Sequence, residues 1–314
     1  MKAFDVAVVG QGYAGLRAAL LACEQGMRVA TFEGVMAGGA VMTVLRLNPS
    51  PEAFTRSGPD LGALISMQNM DRGAYVSFEP VVGLRPNATG GWRIDAPDGG
   101  VLARHVVLAT GTRRRALNVP GESRFAGNGV SHCADCDGPR VVGRDCVVVG
   151  GGDAAFQEAA VLAEHARSVS VLMRGGEPRA RADLVADALA HPLVKLLKHC
   201  RIDEIIGNDE AGVTAIRYSS ADGASHEHAC AGVFILAGGD PDTQLLPGDV
   251  RRNEHGGVIT DASGYVGIPG MWAIGSVRAG FRGGLIEAGH DAQRAVSAMI
   301  GADKHAFDAT RVIA

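Results

Sequence analysis

Val6-Ala7-Val8-Val9-Gly10-Gln11-Gly12-Tyr13-Ala14-Gly15 runs from an apolar strand through a glycine-rich turn into an Ala- and Leu-rich helix, Leu16 to Glu24. Cys146-Val147-Val148-Val149-Gly150-Gly151-Gly152-Asp153-Ala154-Ala155 repeats the arrangement ahead of a helix from about Phe156 to Glu164. In such a turn the first glycine lets the strand reverse tightly. The second lets backbone approach a pyrophosphate, and the third position must be small for the helix to pack on its strand. The helix N-terminus then offers unpaired N–H groups and a partial positive charge to phosphates. One such turn is weak evidence, since glycine-rich turns also occur without ligands. Two, each after a strand and before a helix, mark a duplicated dinucleotide-binding device. The expected fold class is therefore α/β, with two Rossmann-like nucleotide-binding domains.

The end of each second strand distinguishes the two sites. Gly26-Met27-Arg28-Val29-Ala30-Thr31-Phe32-Glu33 closes on an acid 23 residues after Gly10, placed to hydrogen-bond an adenosine ribose. The same offset from Gly150 falls on Met173, followed by Arg174, Arg179 and Arg181. An acid repels a ribose 2′-phosphate, whereas arginines attract one and bind it bidentately. The first site suits FAD. The second suits NADPH better than NADH. The bland reading of Glu33 and of the arginines is a solvated loop.

The chain has 314 residues, length for about two domains, and 46% of them are hydrophobic, enough for sizeable cores. A net charge of −4 gives nucleic-acid binding no bulk support. No apolar run reaches the length of a membrane span, and Met1-Lys2-Ala3-Phe4-Asp5 does not read as a signal peptide. These features lead us to expect a cytoplasmic protein with neither membrane nor nucleic-acid partner.

Of the six cysteines, only Cys133 and Cys136 lie close together, in Ser131-His132-Cys133-Ala134-Asp135-Cys136-Asp137-Gly138-Pro139. Two cysteines at this spacing can close a small disulfide ring, and the local field can activate one of them as a thiolate. Such a pair exchanges with a second disulfide through a mixed disulfide. Asp137 is a candidate acid or base for the accompanying proton. Three blander readings stand beside this one: half of a zinc site, two inert buried thiols, or a bystander to flavin chemistry. No metal is expected, because no second ligand pair is evident. Cys23, Cys146, Cys200 and Cys230 read as small buried hydrophobes or unremarkable thiols, and His132 as a structural or solvent-facing histidine. Cys136 lies only 14 residues before Gly150, so the dithiol belongs to the nicotinamide domain. Dithiol and nicotinamide must each meet a flavin held by the other domain, and a domain rotation between two arrangements is the expected solution.

The order of the first turn, Ala109-Thr110-Gly111, the Cys133-x-x-Cys136-Asp137-Gly138-Pro139 stretch, the second turn and Gly275-Ser276 resembles the low-molecular-weight thioredoxin reductases. It also resembles the reductase portion of the alkyl hydroperoxide reductase flavoprotein. The likeness covers nearly the whole chain, most closely from Val107 to Arg181, at 238–243 and from Phe281 to Gly289. It implies three-layer ββα domains, the second inserted into the first. The FAD-binding domain would comprise 1–114 and 246–314, and the NAD(P)H-binding domain 115–245. It implies Cys136 as the flavin-proximal sulfur, Cys133 as the interchange thiol and Asp137 as acid catalyst. FAD contacts are expected at Gly10, Gly12, Tyr13, Ala14, Gly15, Glu33, Gly38, Gly39, Asn48, Val82, Ala109, Thr110, Gly111, Gly275, Ser276, Arg282, Gly283 and Gly284. Nicotinamide-nucleotide contacts are expected at Gly150, Gly152, Asp153, Ala154, Arg174 and Arg179. The implied enzyme is a homodimer that reduces a thioredoxin-like or other disulfide protein. Without the additional thioredoxin-like domains of the hydroperoxide reductase protein, it needs a separate thiol carrier.

The chain departs from the family pattern at several positions. Ser276 stands where the family carries an Asp, Arg282-Gly283-Gly284 replaces Arg-Gln-Ala, and Ala40 follows Gly38-Gly39 where a Gln is usual. The phosphate clamp keeps two of three arginines. Three other functions remain open from the residues alone. One is a small-molecule dithiol oxidase returning electrons to oxygen, which the intact second turn and Asp137 disfavour. Another is an NAD(P)H-dependent reductase of an electron carrier, and the last a flavin-binding sensor.

Overall fold

The computed structural model describes residues 1–47 and 50–311, with side chains through residue 303. In chain order it begins with β1 (Lys2–Val9), α1 (Tyr13–Glu24), β2 (Val29–Phe32), α2 (Gly58–Asp71) and β3 (Tyr75–Ser77). There follow β4 (Gly83–Pro86), β5 (Trp92–Asp95), β6 (Val101–Leu108) and β7 (Thr112–Arg114). Next come β8 (Val130–Ser131), α3 (Ala134–Asp137), β9 (Asp145–Val149), α4 (Asp153–Ala163), β10 (Ser168–Leu172), α5 (Ala182–Ala190) and β11 (Val194–Leu197). The chain continues with β12 (Arg201–Asn208), β13 (Gly212–Ser219), β14 (Ser225–Ala229), β15 (Gly232–Ile235) and β16 (Gly239–Pro241). It closes with β17 (Met271–Ala273) and the long α6 (Leu285–Arg311).

The protein folds as two compact units: Met1–Arg113 with Asp240–Ala314, and Arg114–Gly239 between them. In the first unit, β3, β2, β1 and β6 pair in parallel. The start of β6 also carries the antiparallel β5–β4 meander, and its end pairs with β17. Strand side chains alternate between faces. Val6 and Val8 therefore pack with Ala18, Ala19 and Ala292 from α1 and α6, while Ala7 and Val9 pack with Trp92, Ile94, Leu246 and Val258. With both faces covered, β1 is an apolar run rather than an alternating one.

In the second unit, β11, β10, β9, β15 and β8 are all parallel. Cys146 and Val148 face Phe156, Ala159 and Ala188 of α4 and α5; Val147 and Val149 face the antiparallel β12–β13–β14 layer through Ile205 and Ile216. The second unit's sheet thus lies between a helical layer and a separate antiparallel β layer, while in the first unit the face opposite α1 and α6 is covered by β5 of its own meander and by Leu246, Val250 and Val258.

Helix and unit boundaries differ from the sequence reading. Both phosphate-turn helices start earlier than expected, at Tyr13 and Asp153, because Gly12 and Gly152 take the extended N-cap conformation and the next residue is already helical. The return to the first unit comes at 239/240 rather than 245/246. Asp242 explains this: its carbonyl accepts the Thr110 hydroxyl at 2.6 Å and its N–H donates to Gly111 at 3.0 Å. Leu245 and Leu246 join that unit's core. Among the described residues, no helix is long and apolar enough to cross a membrane.

Candidate active site

The two phosphate turns share one construction. Gly10 adopts φ +99°, and a Cβ there would sit 2.4 Å from the Ala109 carbonyl oxygen. A Cβ on Gly15 would lie 2.0 Å from the Gly10 carbonyl oxygen, so the helix approaches the strand as only glycine permits. In the second turn a Cβ on Gly150 would meet the Leu236 carbonyl oxygen at 2.3 Å. The middle positions behave differently. A Cβ on Gly12 or Gly152 would meet nothing within 4 Å, and neither helix has a side-chain cap. Two uncapped helix N-termini facing open space fit the pyrophosphate of a dinucleotide.

Around the first turn, the Glu33 carboxylate accepts the N–H of Gln11 and of Val35, both at 3.0 Å, and so stands at the lip of the turn. Gly38 donates its N–H to Gln11 at 2.7 Å, and a Cβ on Gly39 would lie 3.0 Å from Gly12 Cα. The structure thus brings Gly38 and Gly39 onto the turn. Val82 is exposed, at the end of a loop whose Pro80 packs on Gly34. Tyr13 sends its ring into the core with Leu16, Leu61 and Ile65, leaving its backbone as the group available to a ligand. Asn48 lies outside the described residues.

Gly275 and Ser276 also reach this turn. A Cβ on Gly275 would touch Ala14 Cβ at 2.9 Å, and one on Gly111 would lie 3.7 Å from Ser276 Oγ. Ser276 brings no charge, but a charge stands one layer behind it. Asp291, 4% exposed, accepts the Gly275 N–H at 3.0 Å and pairs with Arg278 at 2.5 Å and Arg294 at 2.6 Å. Glu287 takes the other arm of Arg278 at 2.7 Å and the Arg282 N–H at 3.0 Å. Arg282, Gly283 and Gly284 themselves are exposed. The sequence reading missed Asp291 and Glu287, since nothing local distinguishes them from surface acids of α6.

The second turn opens on a cavity of about 660 Å³ lined by Gly150, Gly151, Arg174, Arg179, Arg115 and Arg201, among others. Arg179 is fixed there by its N–H, which donates to Gly151 at 2.8 Å. The clamp separates into two parts. Arg181 lies 3.6 Å from both Asp153 and Asp183, whereas among the described residues no carboxylate pairs with the guanidinium of Arg174 or Arg179. Asp153 and Ala154 open α4; the Asp153 carboxylate accepts the Arg181 N–H at 2.8 Å.

Cys133 and Cys136 form a disulfide around the short helix α3, with Cα atoms 5.3 Å apart. Cys133 is the N-cap, and its sulfur accepts the Cys136 N–H at 3.1 Å. Cys133 is 6% exposed, whereas Cys136 is exposed. Asp137 follows directly. Its carboxylate accepts the Ser131 hydroxyl at 2.6 Å and lies 3.5 Å from Arg140. Ser131 in turn accepts the Cys133 N–H at 3.2 Å, linking the acid to the buried cysteine. His132 is structural, its ring set 2.9 Å from the Ile235 carbonyl oxygen. From below, Glu158 of α4 accepts the Ala134 N–H. Burial pushes the Glu158 carboxyl up to about 7, and Asp135 adds to the rise, against the opposing Ala134 N–H and Arg114. The sequence analysis assigned no role to Ser131 or Glu158. Ser131, two residues before Cys133, was within reach of inspection; Glu158 is found only by packing.

The other four cysteines are free thiols. Burial pushes Cys146 and Cys230 up to about 12 and also raises Cys23 and Cys200, so all are held protonated at neutral pH.

Residues 4–298 match the family model for pyridine nucleotide-disulphide oxidoreductases. The thioredoxin reductase of Treponema pallidum is 33% identical over 279 residues, covering 88% of this chain and 89% of that protein. An alkyl hydroperoxide reductase protein of Pseudomonas putida is 35% identical over 291 residues, and this chain spans 54% of its length. Among solved structures, the Lactococcus lactis thioredoxin reductase superposes with a TM-score of 0.89 at 27% identity, covering 95% of this chain and 98% of that one.

Proposed function

The chain belongs to the pyridine nucleotide-disulphide oxidoreductases, within them to the thioredoxin reductases, and from that membership we propose that it carries electrons from NADPH through FAD and the Cys133–Cys136 pair to a thioredoxin-like protein disulfide. The observation that carries this reading is the placement of a closed CxxC disulfide, backed by Asp137, in the same unit as an uncapped nucleotide turn.

In this reading FAD is held by the first unit, on Gly10, Gly12, Ala14, Gly15, Glu33, Gly38, Gly39, Ala109, Thr110, Gly111, Gly275 and Ser276. NADPH is held by the second unit, on Gly150, Gly152, Asp153, Ala154, Arg174 and Arg179. FAD supplies the redox centre that takes hydride from a nicotinamide and delivers two electrons to a disulfide. The chain's own groups do the rest. The N–H ends of α1 and α4 neutralise pyrophosphate charge. Arg174 and Arg179, free of carboxylate partners, receive a 2′-phosphate, which favours NADPH over NADH. Asp137, oriented by Ser131, moves the proton that thiol–thiolate interconversion requires at Cys136. Cys133 is the interchange thiol that attacks the substrate disulfide. The family's homodimer and a cytoplasmic location complete the reading; four cysteines kept as thiols fit a reducing compartment.

Anaerobic titration of the yellow protein tests this reading. NADPH should bleach the flavin at lower concentration than NADH, and an oxidised thioredoxin-like protein should restore the colour. No bleaching by either nucleotide would defeat the proposal.

A further inference from the structure

The N-terminal end of α3 has two acceptors on it. The Cys133 sulfur accepts the Cys136 N–H, and the Glu158 carboxylate accepts the Ala134 N–H. Glu158 reaches this end from α4, whose Phe156 and Ala159 pack in one core with Ala134. A carboxylate and a sulfur therefore sit on two N–H groups of the same short turn, two residues apart.

We propose that Glu158 is a positioning residue for the dithiol, taking up a proton when the Cys133–Cys136 bond is reduced and releasing it when the bond re-forms. The inference rests on the reading that NADPH drives this disulfide. The balance is simple. NADPH gives up a hydride and becomes NADP⁺; the hydride's two electrons break the S–S bond, and its proton ends on one sulfur, leaving the other as thiolate. The new anion arises in the turn whose Ala134 N–H the Glu158 carboxylate holds. Like charge raises a carboxyl's proton affinity, so Glu158 draws one proton from solvent, and the negative charge at the turn stays at one rather than two. Oxidation reverses both steps.

The charged groups around α4 leave Glu158 in this role. Asp137 is engaged with Ser131 and Arg140, Asp145 with Arg167 and Ser168, and Asp183 with Arg181. Asp187 and Lys195 are exposed. The groups acting on Glu158 are Asp135 and Arg114, and burial already holds its carboxyl near 7 in the disulfide form. Uptake on reduction then falls just above neutrality.

The test is a redox titration of the FAD-loaded enzyme in glutathione buffers, with the Cys133–Cys136 state read by alkylation and mass spectrometry across pH. Above about pH 7 the wild-type midpoint should fall more steeply than that of Glu158→Gln, by up to about 30 mV per pH unit, the two-electron equivalent of one extra proton. Parallel plots for the two proteins overturn the proposal. Gln keeps an acceptor for the Ala134 N–H, so folding is preserved by design. Should that variant fail to fold, Asp135→Asn decides: it should move the steep region to lower pH, and an unmoved region overturns the proposal. Glutathione sets the potential without NADPH, so a disulfide that NADPH never reduces defeats the functional reading and leaves Glu158 to be judged by the slope.

Discussion

In the Cys133–Cys136 turn the two sulfurs differ in access, since Cys133 is 6% exposed and Cys136 is exposed, yet the family pattern gives substrate attack to Cys133. The disulfide holds Cys133 inward as N-cap, with its backbone N–H on Ser131. Reduction removes the covalent tie between the two sulfurs, the step that frees Cys133 for exchange in the proposed reading. After anaerobic reduction with NADPH, a single equivalent of iodoacetamide should label Cys133 ahead of Cys136, as tryptic mass spectrometry would show. Labelling confined to Cys136 would reverse the two roles. Spacing made the pair legible in the sequence, and Asp137 was legible as its neighbour. The support beneath them was not. Ser131 matters because the Asp137 carboxylate turns back to it, and Glu158 because α4 packs under α3; both depend on side-chain direction and tertiary packing rather than order along the chain.

At the scale of elements, the strand–turn–helix units were legible in the sequence. The order strand, glycine turn, helix is read along the chain, and the Gly15 constraint is local, set by the Gly10 carbonyl oxygen five residues away; that on Gly10 is completed by the Ala109 carbonyl oxygen after β6. The clamp after β10 was less legible. Three arginines look alike in the sequence, but Arg181 is drawn to Asp153 and Asp183, which no spacing rule foresees. The two classes of glycine should separate on substitution. In Gly12→Ala the new Cβ stands in open space, so the fold and the melting temperature of the FAD-free protein should be retained while FAD content of the purified protein falls, the methyl occupying the path to the pyrophosphate. In Gly15→Val the side chain collides with the Gly10 carbonyl oxygen, only 2.0 Å from its Cβ, so the protein should lose several kcal/mol of stability as well as FAD. Absorbance at the flavin band and a thermal melt distinguish the outcomes. Equal melting temperatures in the two variants would refute this division.

At the scale of the whole molecule, the chain passes from the first unit to the second and back, and each unit keeps its own core. Phe156, Val148 and Leu162 serve one side of the second unit's sheet, Phe125, Val147 and Ile205 the other; every member of these two cores lies between Arg114 and Gly239. A unit of 126 residues with both sheet faces covered lies in the ordinary size range of independent domains. That insertion was expected from family likeness rather than from the residues. The Arg113-Arg114-Arg115 run and Gly238-Gly239-Asp240-Pro241 mark the crossings only as loop-like, and the return crossing is set by how Asp242 bonds to Thr110 and Gly111, which are distant in sequence. Expressed alone, Arg114–Gly239 should fold cooperatively, because severing two backbone connections removes nothing from either core. It should bind NADPH through the α4 turn and the Arg174 and Arg179 side chains, giving a melting temperature that rises with NADPH concentration as mass action requires. Its Cys133–Cys136 bond should form, yet NADPH should not reduce it, because in the proposed reading the redox centre that accepts hydride is held by the other unit. Calorimetry with and without NADPH, followed by thiol counting, reads all three properties at once. A fragment that fails to melt cooperatively would show that the second unit depends on the first. One that NADPH reduces without flavin would remove FAD from the electron path.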